Sequence, residues 1–466
     1  MKPKNHLIIS LFFCAFLGNA QQGNYKFNNF GNRSILLAGN VTGSVSDLGL
    51  TYYNPSFLAE VENVGFSLNA KAYQLVSYKL DNVLDENTKL SNTSFNGAST
   101  MAGGVFNLFG TRFAYSYLTK SNYNTNLNYS SNYLNDDILT LFPDAESHNA
   151  KIGLTSKVKD AWTGLAWAHK VTEDFSLGIS AFASIYSYRS GSNINHTVLS
   201  TNNDVAFYQN TISFKQKSYG LFLKIGANYH FPKFDIGVNV NLPYIEVYED
   251  GQFSYSAVVA GVDPEYNKFV DNNFNGLKAK RKEPLGISIG AGIPINKSKL
   301  HLNMDYVSGL GKYDRLIIPN IDTGANTLTP VEFDEKRQAV INLGFGIEFF
   351  LTEQFQGYGG FSTDFNAFDD SANIFDLSTD ENKDVNLGGD FYHMSLGVDW
   401  KLKWANVIAG FTYTSSSGSF ANPYNLDVEG IDIENNLDAK LKYTRWQFVV
   451  GIDVPILGKK VNSLLQ

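Results

Sequence analysis

Cysteine is almost missing from this 466-residue chain: its single copy, Cys14, lies in an N-terminal apolar run. A mature chain cleaved beyond it has no thiol, which excludes disulfides, thiolate catalysis and cysteine-ligated metal. Charged residues are scarce as well, at 18%, and their balance is acidic, with a formal net charge of -8. Loss of Lys2 and Lys4 with a leader takes that value to -10, which argues against a nucleic-acid partner. Past the N-terminal run, no apolar stretch approaches the ~20 residues that a membrane-spanning helix needs. Proline is sparse, at 12, whereas glycine reaches 40, phenylalanine 35 and tyrosine 26. Aromatic-rich, proline-poor, cysteine-free segments that alternate in polarity point to a transmembrane β-barrel.

Residues 1–20 read as an export signal. Lys2 and Lys4 precede the apolar core Leu7-Ile8-Ile9-Ser10-Leu11-Phe12-Phe13-Cys14-Ala15-Phe16-Leu17, and Gly18-Asn19-Ala20 supplies the small residues of a cleavage site. Phe12-Phe13 is a poor context for lipid attachment at Cys14.

A rhythm of short and long connections follows. Tight breaks fall at 109–111, 171–174, 231–234, 296–299, 351–354 and 401–403. Long polar connections are expected near 79–95, 120–156, 191–207, 251–280, 309–335, 366–387 and 416–439. Six turns and seven loops join fourteen strands, an even number as outer-membrane barrels require. Within the strands, polarity alternates with period two. Phe175, Leu177, Ile179, Ala181, Ala183 and Ile185 share one face, opposite Ser176, Gly178, Ser180 and Ser184. Apolar faces point to lipid and polar faces to a lumen, and closure leaves no sheet edge in hydrocarbon. Trp162, Trp167, Tyr229, Trp400, Trp404 and Trp446 are placed at strand ends as an interfacial aromatic girdle. The fold expected is therefore all-β, an antiparallel transmembrane barrel spanning 64–455, followed by a periplasmic tail, 456–466. A soluble β-sandwich would not explain the loop asymmetry.

Residues 21–63 do not read as a strand, being rich in Asn, Gly and Ser with apolar residues only at intervals. A disordered periplasmic tail is one reading of this segment. The other is a compact plug, since Ser34-Ile35-Leu36-Leu37-Ala38-Gly39 is small and apolar enough to pack in a confined space. Phe30-Gly31-Asn32-Arg33 leads into that stretch, Asp47 follows, and Tyr52-Tyr53-Asn54-Pro55-Ser56-Phe57-Leu58-Ala59 closes the segment. In this order they resemble the N-terminal region of the FadL/TodX family, outer-membrane transporters of long-chain fatty acids and aromatic hydrocarbons. Ser56 stands where that family has alanine. The resemblance implies that 21–63 is a hatch at the periplasmic end of the lumen. Hydrophobic cargo then enters an external groove, moves to an internal pocket, and leaves by hatch rearrangement or through a wall opening at a kink in the third strand. Here the third strand, near 111–119, has no proline and no interior glycine after Gly110, while Pro243 interrupts another strand.

Parity places Lys224, His230, Asp235, His301, Asp305, Glu348, His393, Asp399, Arg445 and Asp453 on the lumen side. Arg33, Asp47, Asn54, Pro55 and Ser56 are the candidate hatch residues. Arg33 is expected to pair with a lumenal acid such as Asp399 or Asp453; Lys224, Glu348 and Arg445 are further lumenal partners. Lys224 is also a candidate for neutralising a cargo carboxylate. Phe106, Tyr115, Tyr117, Phe182, Phe207, Phe214, Tyr244, Phe361 and Tyr413 are candidate pocket aromatics. Histidines on separate strands form no local ligand motif, and the acidic pieces Asp364/Asp369/Asp370 and Asp427/Glu429/Asp432/Glu434 lack calcium-loop spacing. No cofactor, metal or catalytic set is expected. The expected role is a passive outer-membrane channel of a Gram-negative cell, contacting outer-membrane lipids and hydrophobic or fatty-acid cargo. The alternative is an accessory barrel in an outer-membrane secretion or assembly complex, with 120–156 and 251–280 as protein-partner surfaces.

Overall fold

The structure, a computed structural model, describes residues 23–61, 65–82, 89–108, 111–133, 145–261, 267–324, 328–368, 389–420 and 439–454. The expected leader 1–20, the tail 456–466 and the acidic residues Asp369, Asp370, Asp427, Glu429, Asp432 and Glu434 lie outside these residues.

Long strands come first: β1 (Phe66–Asp81), β2 (Lys89–Leu108), β3 (Thr111–Tyr133), β4 (Ala145–Lys170), β5 (Phe175–Ser200) and β6 (Val205–Phe231). Next are β7 (Phe234–Asn241), β8 (Ile245–Ala260), β9 (Lys268–Leu277), β10 (Gly286–Ile295) and β11 (Ser298–Val307). The connection after β11 carries β12 (Leu310–Asp314), β13 (Ile321–Asp322), β14 (Leu328–Thr329) and β15 (Asp334–Arg337). The chain then completes β16 (Val340–Phe350), β17 (Phe355–Asp364), β18 (Asp390–Lys401), β19 (Asn406–Phe420) and β20 (Ala439–Val454).

Fourteen strands, β1 to β7, β10, β11 and β16 to β20, form a closed ring whose neighbours are all antiparallel. The seam joins β1 to β20, from Phe66 opposite Val454 to Asp81 opposite Lys440. Closure satisfies the backbone without an edge, which a wall facing hydrocarbon demands. The expected period-two faces are present: Ile179 and Ile185 on β5 are exposed outward, while Ser176, Ser180 and Ser184 are buried inward.

β7 and β8 both pair with β6, β7 along Lys224–Phe231 and β8 along Phe207–Leu221. Between them Leu242-Pro243-Tyr244 faces only Phe222 and Leu223, with Leu242 N donating to Leu223 O at 2.9 Å. Proline has no N–H for the ladder, so the strand breaks there and resumes. β3 has its own irregularity: its register against β4 shifts between Thr119 and Ser121, so Lys120 is bulged, just past the segment 111–119. The ladder of β3 with β2 runs from Thr111 to Leu118.

Two expectations are corrected. The segments 120–156, 191–207 and 251–280 are mostly strand, leaving 201–204 as the turn between β5 and β6 and placing most of β8 and all of β9 within 251–280. Asn122, Asn124, Asn126 and Asn128 are exposed while Thr125 and Leu127 are buried, so alternation continues with polar groups outside. An outer face in water needs no apolar residues to remain a strand. The strands β4, β5 and β6 reach 26, 26 and 27 residues, far beyond the ~9–11 that cross a bilayer. Trp162 is not in the girdle either. It is 4% exposed and packs inward on Phe222, at 4.0 Å between ring centroids, whereas Trp167, Tyr229, Trp400, Trp404 and Trp446 are exposed outward. A one-residue difference in parity decides the face.

The 308–339 connection folds back over the inward face of the long strands. Leu316, Ile318, Ile321, Val331 and Phe333 bury themselves against Tyr188, Ile212, Phe214 and Phe253. Phe333 stacks on Phe214 with centroids 4.2 Å apart. Phe333→Ala removes about 3 kcal/mol of such packing. Limited proteolysis is expected to cut between 308 and 339 in this variant, while the barrel keeps its heat-modifiable gel mobility.

Candidate functional site

Residues 23–61 supply short helices, α1 (Arg33–Leu36) and α2 (Leu50–Tyr53), and a 3-10 turn, Pro55–Ala59. Four-residue helices are too short to hold themselves together, so side chains fix them from outside. Asp47 does most of this: its carboxylate accepts from Ser34 N at 2.8 Å, Ser34 Oγ at 2.7 Å and Gly49 N at 2.9 Å. A Cβ at Gly31, whose φ is +82°, would fall 2.7 Å from Asp47 Oδ1, so glycine is required on both steric and conformational grounds. Asn54 caps the 3-10 turn by accepting from Ser56 N at 3.2 Å and Ser56 Oγ at 2.6 Å. Its amide donates to Thr42 O at 2.9 Å and to Ala227 O of β6 at 3.1 Å. Pro55 lies against the wall, where a Cβ at Gly178 would sit 2.5 Å from its carbonyl carbon. At Ser56 the hydroxyl takes part in the cap, a bond that alanine would lack.

The segment meets inward-facing residues of strands around the ring. Arg33 Nε lies 3.0 Å from Asp399 Oδ2 on β18, and Asp399 is fully buried. Asp453 on β20 does not bond Arg33; it accepts from Asn32 Nδ2 at 2.5 Å and from Ser67 Oγ at 2.6 Å. Arg445 donates to Phe27 O at 2.5 Å and Asn28 Oδ1 at 3.1 Å, with its guanidinium 4.0 Å from the Phe27 ring centroid. Lys224 donates to Asn241 Oδ1 at 2.6 Å and sits 4.0 Å from the Tyr52 ring centroid. Glu348 instead accepts from His301 Nε2 at 2.7 Å and Gln356 Nε2 at 2.9 Å, within the wall.

Several contacts escaped sequence reasoning. Lys26 pairs with Asp305 at 2.6 Å, Lys120 donates to Tyr52 Oη at 2.7 Å and Tyr25 O at 2.9 Å, and Glu60 pairs with His230 at 2.7 Å. Lys26 and Glu60 lie in irregular chain, where no periodicity assigns a face. Lys120 sits at the bulge that breaks parity. Proposed pocket aromatics also divide: Phe182 and Phe214 are buried inward, whereas Tyr115 and Tyr117 are exposed outward. Phe106, Phe207, Phe361 and Tyr413 share the outward parity, and Tyr244 stays near the interior beside Phe222.

Between the N-terminal segment and the 308–339 connection lies a cavity of about 270 Å³. Tyr52, Trp162, Tyr186, Tyr188 and Phe222 give it an aromatic wall. Six cations line it, Lys26, Lys120, Lys224, Arg281, Arg315 and Arg337, against four carboxylates, Asp160, Glu283, Asp305 and Glu335. Arg281 holds Asp160 at 2.7 Å and Glu283 at 3.2 Å; Arg337 holds Glu283 and Glu335, both at 2.8 Å; Lys26 holds Asp305. Arg315 reaches Glu335 at 3.6 Å. Lys120 and Lys224 make no ion pair among the described residues, and both reach Tyr52. Burial pushes the Tyr25 phenol up to about 12, so it stays a neutral partner beside Arg337.

No protein-family model matches the chain, and no curated protein matches it. Solved structures do. A FadL homologue from Pseudomonas aeruginosa matches with a TM-score of 0.57 at 12% identity, over 93% of this chain and 99% of that one. The Pseudomonas putida toluene transporter TodX gives 0.56 at 10% identity, over 91% and 98%. The Ralstonia pickettii toluene transporter TbuX gives 0.54 at 12% identity, also over 91% and 98%. The likeness is one of fold.

Asp47→Ala strands two buried backbone donors, at about 1–3 kcal/mol each. Hydrogen–deuterium exchange is expected to lose protection across 31–50 in this variant, with β5 exchanging as before.

Proposed function

We propose that this barrel is an outer-membrane channel for hydrophobic molecules that carry an anionic head, with residues 23–61 as its hatch. One observation carries the reading: Lys120 and Lys224 converge on Tyr52 in an aromatic cavity, and neither is ion-paired with a carboxylate among the described residues. A buried ammonium is costly until it is paired, and a ligand whose head supplies negative charge stabilises the charged form of both lysines, so the cavity favours such a head. An acyl or aromatic body then packs on Trp162 and Phe222, as ligand sites combine apolar walls with a few polar anchors. The exposed apolar face of the ring supports a membrane setting, and the fold likeness to a FadL homologue and to toluene transporters supports transport. Between those cargo classes, the excess cations favour a long-chain fatty acid over a neutral hydrocarbon.

The hatch is held by an apolar cluster, in which Ile35, Leu36, Phe57 and Leu58 pack with wall residues such as Leu118, Phe182 and Ile408, and by polar bonds that water can replace. Arg33 with Asp399 and Asn54 with Ala227 O are its latches to the wall. Removing the hatch from the lumen opens the route from the cavity towards the short-turn end.

Two measurements test this. Oleate binding to the purified protein, followed by calorimetry, is expected to weaken at least tenfold in Lys120→Met/Lys224→Met, as charged hydrogen bonds worth about 1.5–3 kcal/mol imply. Toluene binding stays as it was; unchanged oleate affinity sinks the anionic-head reading. In planar bilayers, Arg33→Ala is expected to raise conductance by leaving Asp399 buried and unpaired, and Arg33→Ala/Asp399→Asn to fall back towards the wild type. Equal conductance in all three proteins removes Arg33 as a latch.

A further inference from the structure

The outward face of β4, β5 and β6 changes character abruptly along the strands. On the short-turn side it is apolar, with Trp167, Ile179 and Ile225 in one cross-strand row and Ala161, Ile185 and Tyr219 in another. Tyr219 stacks on Tyr248 of β8 at 5.1 Å, an exposed aromatic pair at the last apolar row. The next row is Lys159, Ser187 and Lys217, and the one after it Lys157, Arg189 and Lys215. All five cations are exposed. Beyond them come Thr155, Gly191 and Ser213, then Gly153, Asn193 and Thr211, which are hydrogen-bonding or small.

Rows are about 7 Å apart along a strand and neighbours about 4.8 Å apart across it, so five positive charges occupy a two-row patch. Like charges directly opposite each other oppose strand pairing. The only carboxylate in these rows is Asp250, opposite Lys217, and no ion pair forms between them among the described residues. Lys215 donates to Gln252 Oε1 at 3.3 Å; the other four cations make no side-chain bond among the described residues. The opposite rim is built differently: Lys170 pairs with Glu173 at 3.0 Å and Lys297 with Glu353 at 2.9 Å. At that rim Lys233, Lys401 and Lys403 are exposed without an ion pair among the described residues, but they stand scattered at turns, whereas the five cations of the long-strand end are gathered in two adjacent rows.

We infer that Lys157, Lys159, Arg189, Lys215 and Lys217 form a binding site for the phosphates of an acylated, phosphorylated glycolipid in the outer leaflet. The order of the rows matches such a lipid in sequence. Its acyl chains lie along Ile179, Ile185 and Tyr219, its phosphates meet the two cationic rows, and its sugars meet the Thr, Ser and Asn rows. Arg189, at the centre of its row, presents the planar fork that phosphate oxygens accept in pairs. The lysines on either side act as point charges. This rests on the membrane placement proposed above, but not on the cargo.

The test is titration of the purified protein in mild detergent with bisphosphorylated lipid A, and with the same lipid after dephosphorylation. Wild type is expected to prefer the phosphorylated form at least tenfold. K157Q/K159Q/R189Q/K215Q/K217Q is expected to lose that preference, while K170Q/K297Q keeps it. Heat-modifiable gel mobility checks that each variant forms a barrel; if the fivefold variant does not, K157Q/K215Q replaces it, with about threefold weaker binding expected. Equal binding of the two lipids, or a folded variant that binds like wild type, overturns the site. So does loss of an acidic protein partner from the variant with lipid affinity unchanged. If the wild type fails to fractionate with outer membranes, the membrane placement falls and the site with it. If it fractionates correctly without preferring the phosphorylated lipid, only the site falls.

Discussion

A carboxylate turned into a closed ring of strands has to be met by a donor close at hand, and here that requirement ties the N-terminal segment to the wall. Asp399 is fully buried and receives Arg33, Asp453 receives Asn32, and Asp305 receives Lys26. Each acid belongs to a strand and each donor to the segment. Emptied of the segment, the wall would leave these acids to water and expose the apolar residues, Leu118, Phe182 and Ile408 among them, that now pack against it. Inward glycines serve the same fit: a Cβ at Gly397 would meet Leu36 at 2.6 Å. Wall and segment therefore stabilise each other, and neither sequence makes full physical sense alone.

That neutralisation stops short in one place. Around the cavity the arginines are matched to Asp160, Glu283 and Glu335, so that much of the charge there is structural. Through Arg281 and Glu283, between β9 and β10, it links the 308–339 connection to Asp160 on the wall, and Arg337 also bonds Tyr25 of the N-terminal segment. Lys120 and Lys224 remain outside that pairing, and both approach the ring of Tyr52.

Period-two alternation made most of the ring readable. Asp399, between outward Val398 and Trp400, could be assigned inward from sequence, and its pairing with Arg33 follows from proximity of the two segments. Pro243 marked the break between β7 and β8 because its chemistry forbids a ladder bond there. Lys120 was not readable, since a bulge moves a side chain out of register without leaving a residue-type signature. Polar strands beyond the apolar band resembled loops because both of their faces could be hydrophilic. The inward folding of 308–339 was hidden for another reason: Leu316 with Ile318 and Val331 with Phe333 alternate over only two positions each, too short a run to stand out from a polar connection. Lys26 found Asp305 through tertiary approach alone.

Asn32 touches both strands of the seam, reaching Ser67 and Asp453, while its carbonyl accepts from Asn69. Those partners come from opposite ends of the chain, with Ser67 and Asp453 separated by 386 positions. Bringing such distant segments together carries the largest loop-closure entropy in the ring, and it follows the local hairpins in order of difficulty. Because the same asparagine is bonded on both sides of that junction, seating the segment stabilises the sealed cylinder and the sealed cylinder stabilises the seat. A barrel that zipped shut first would have to admit a folded segment through its mouth; one that closes around Asn32 already contains it.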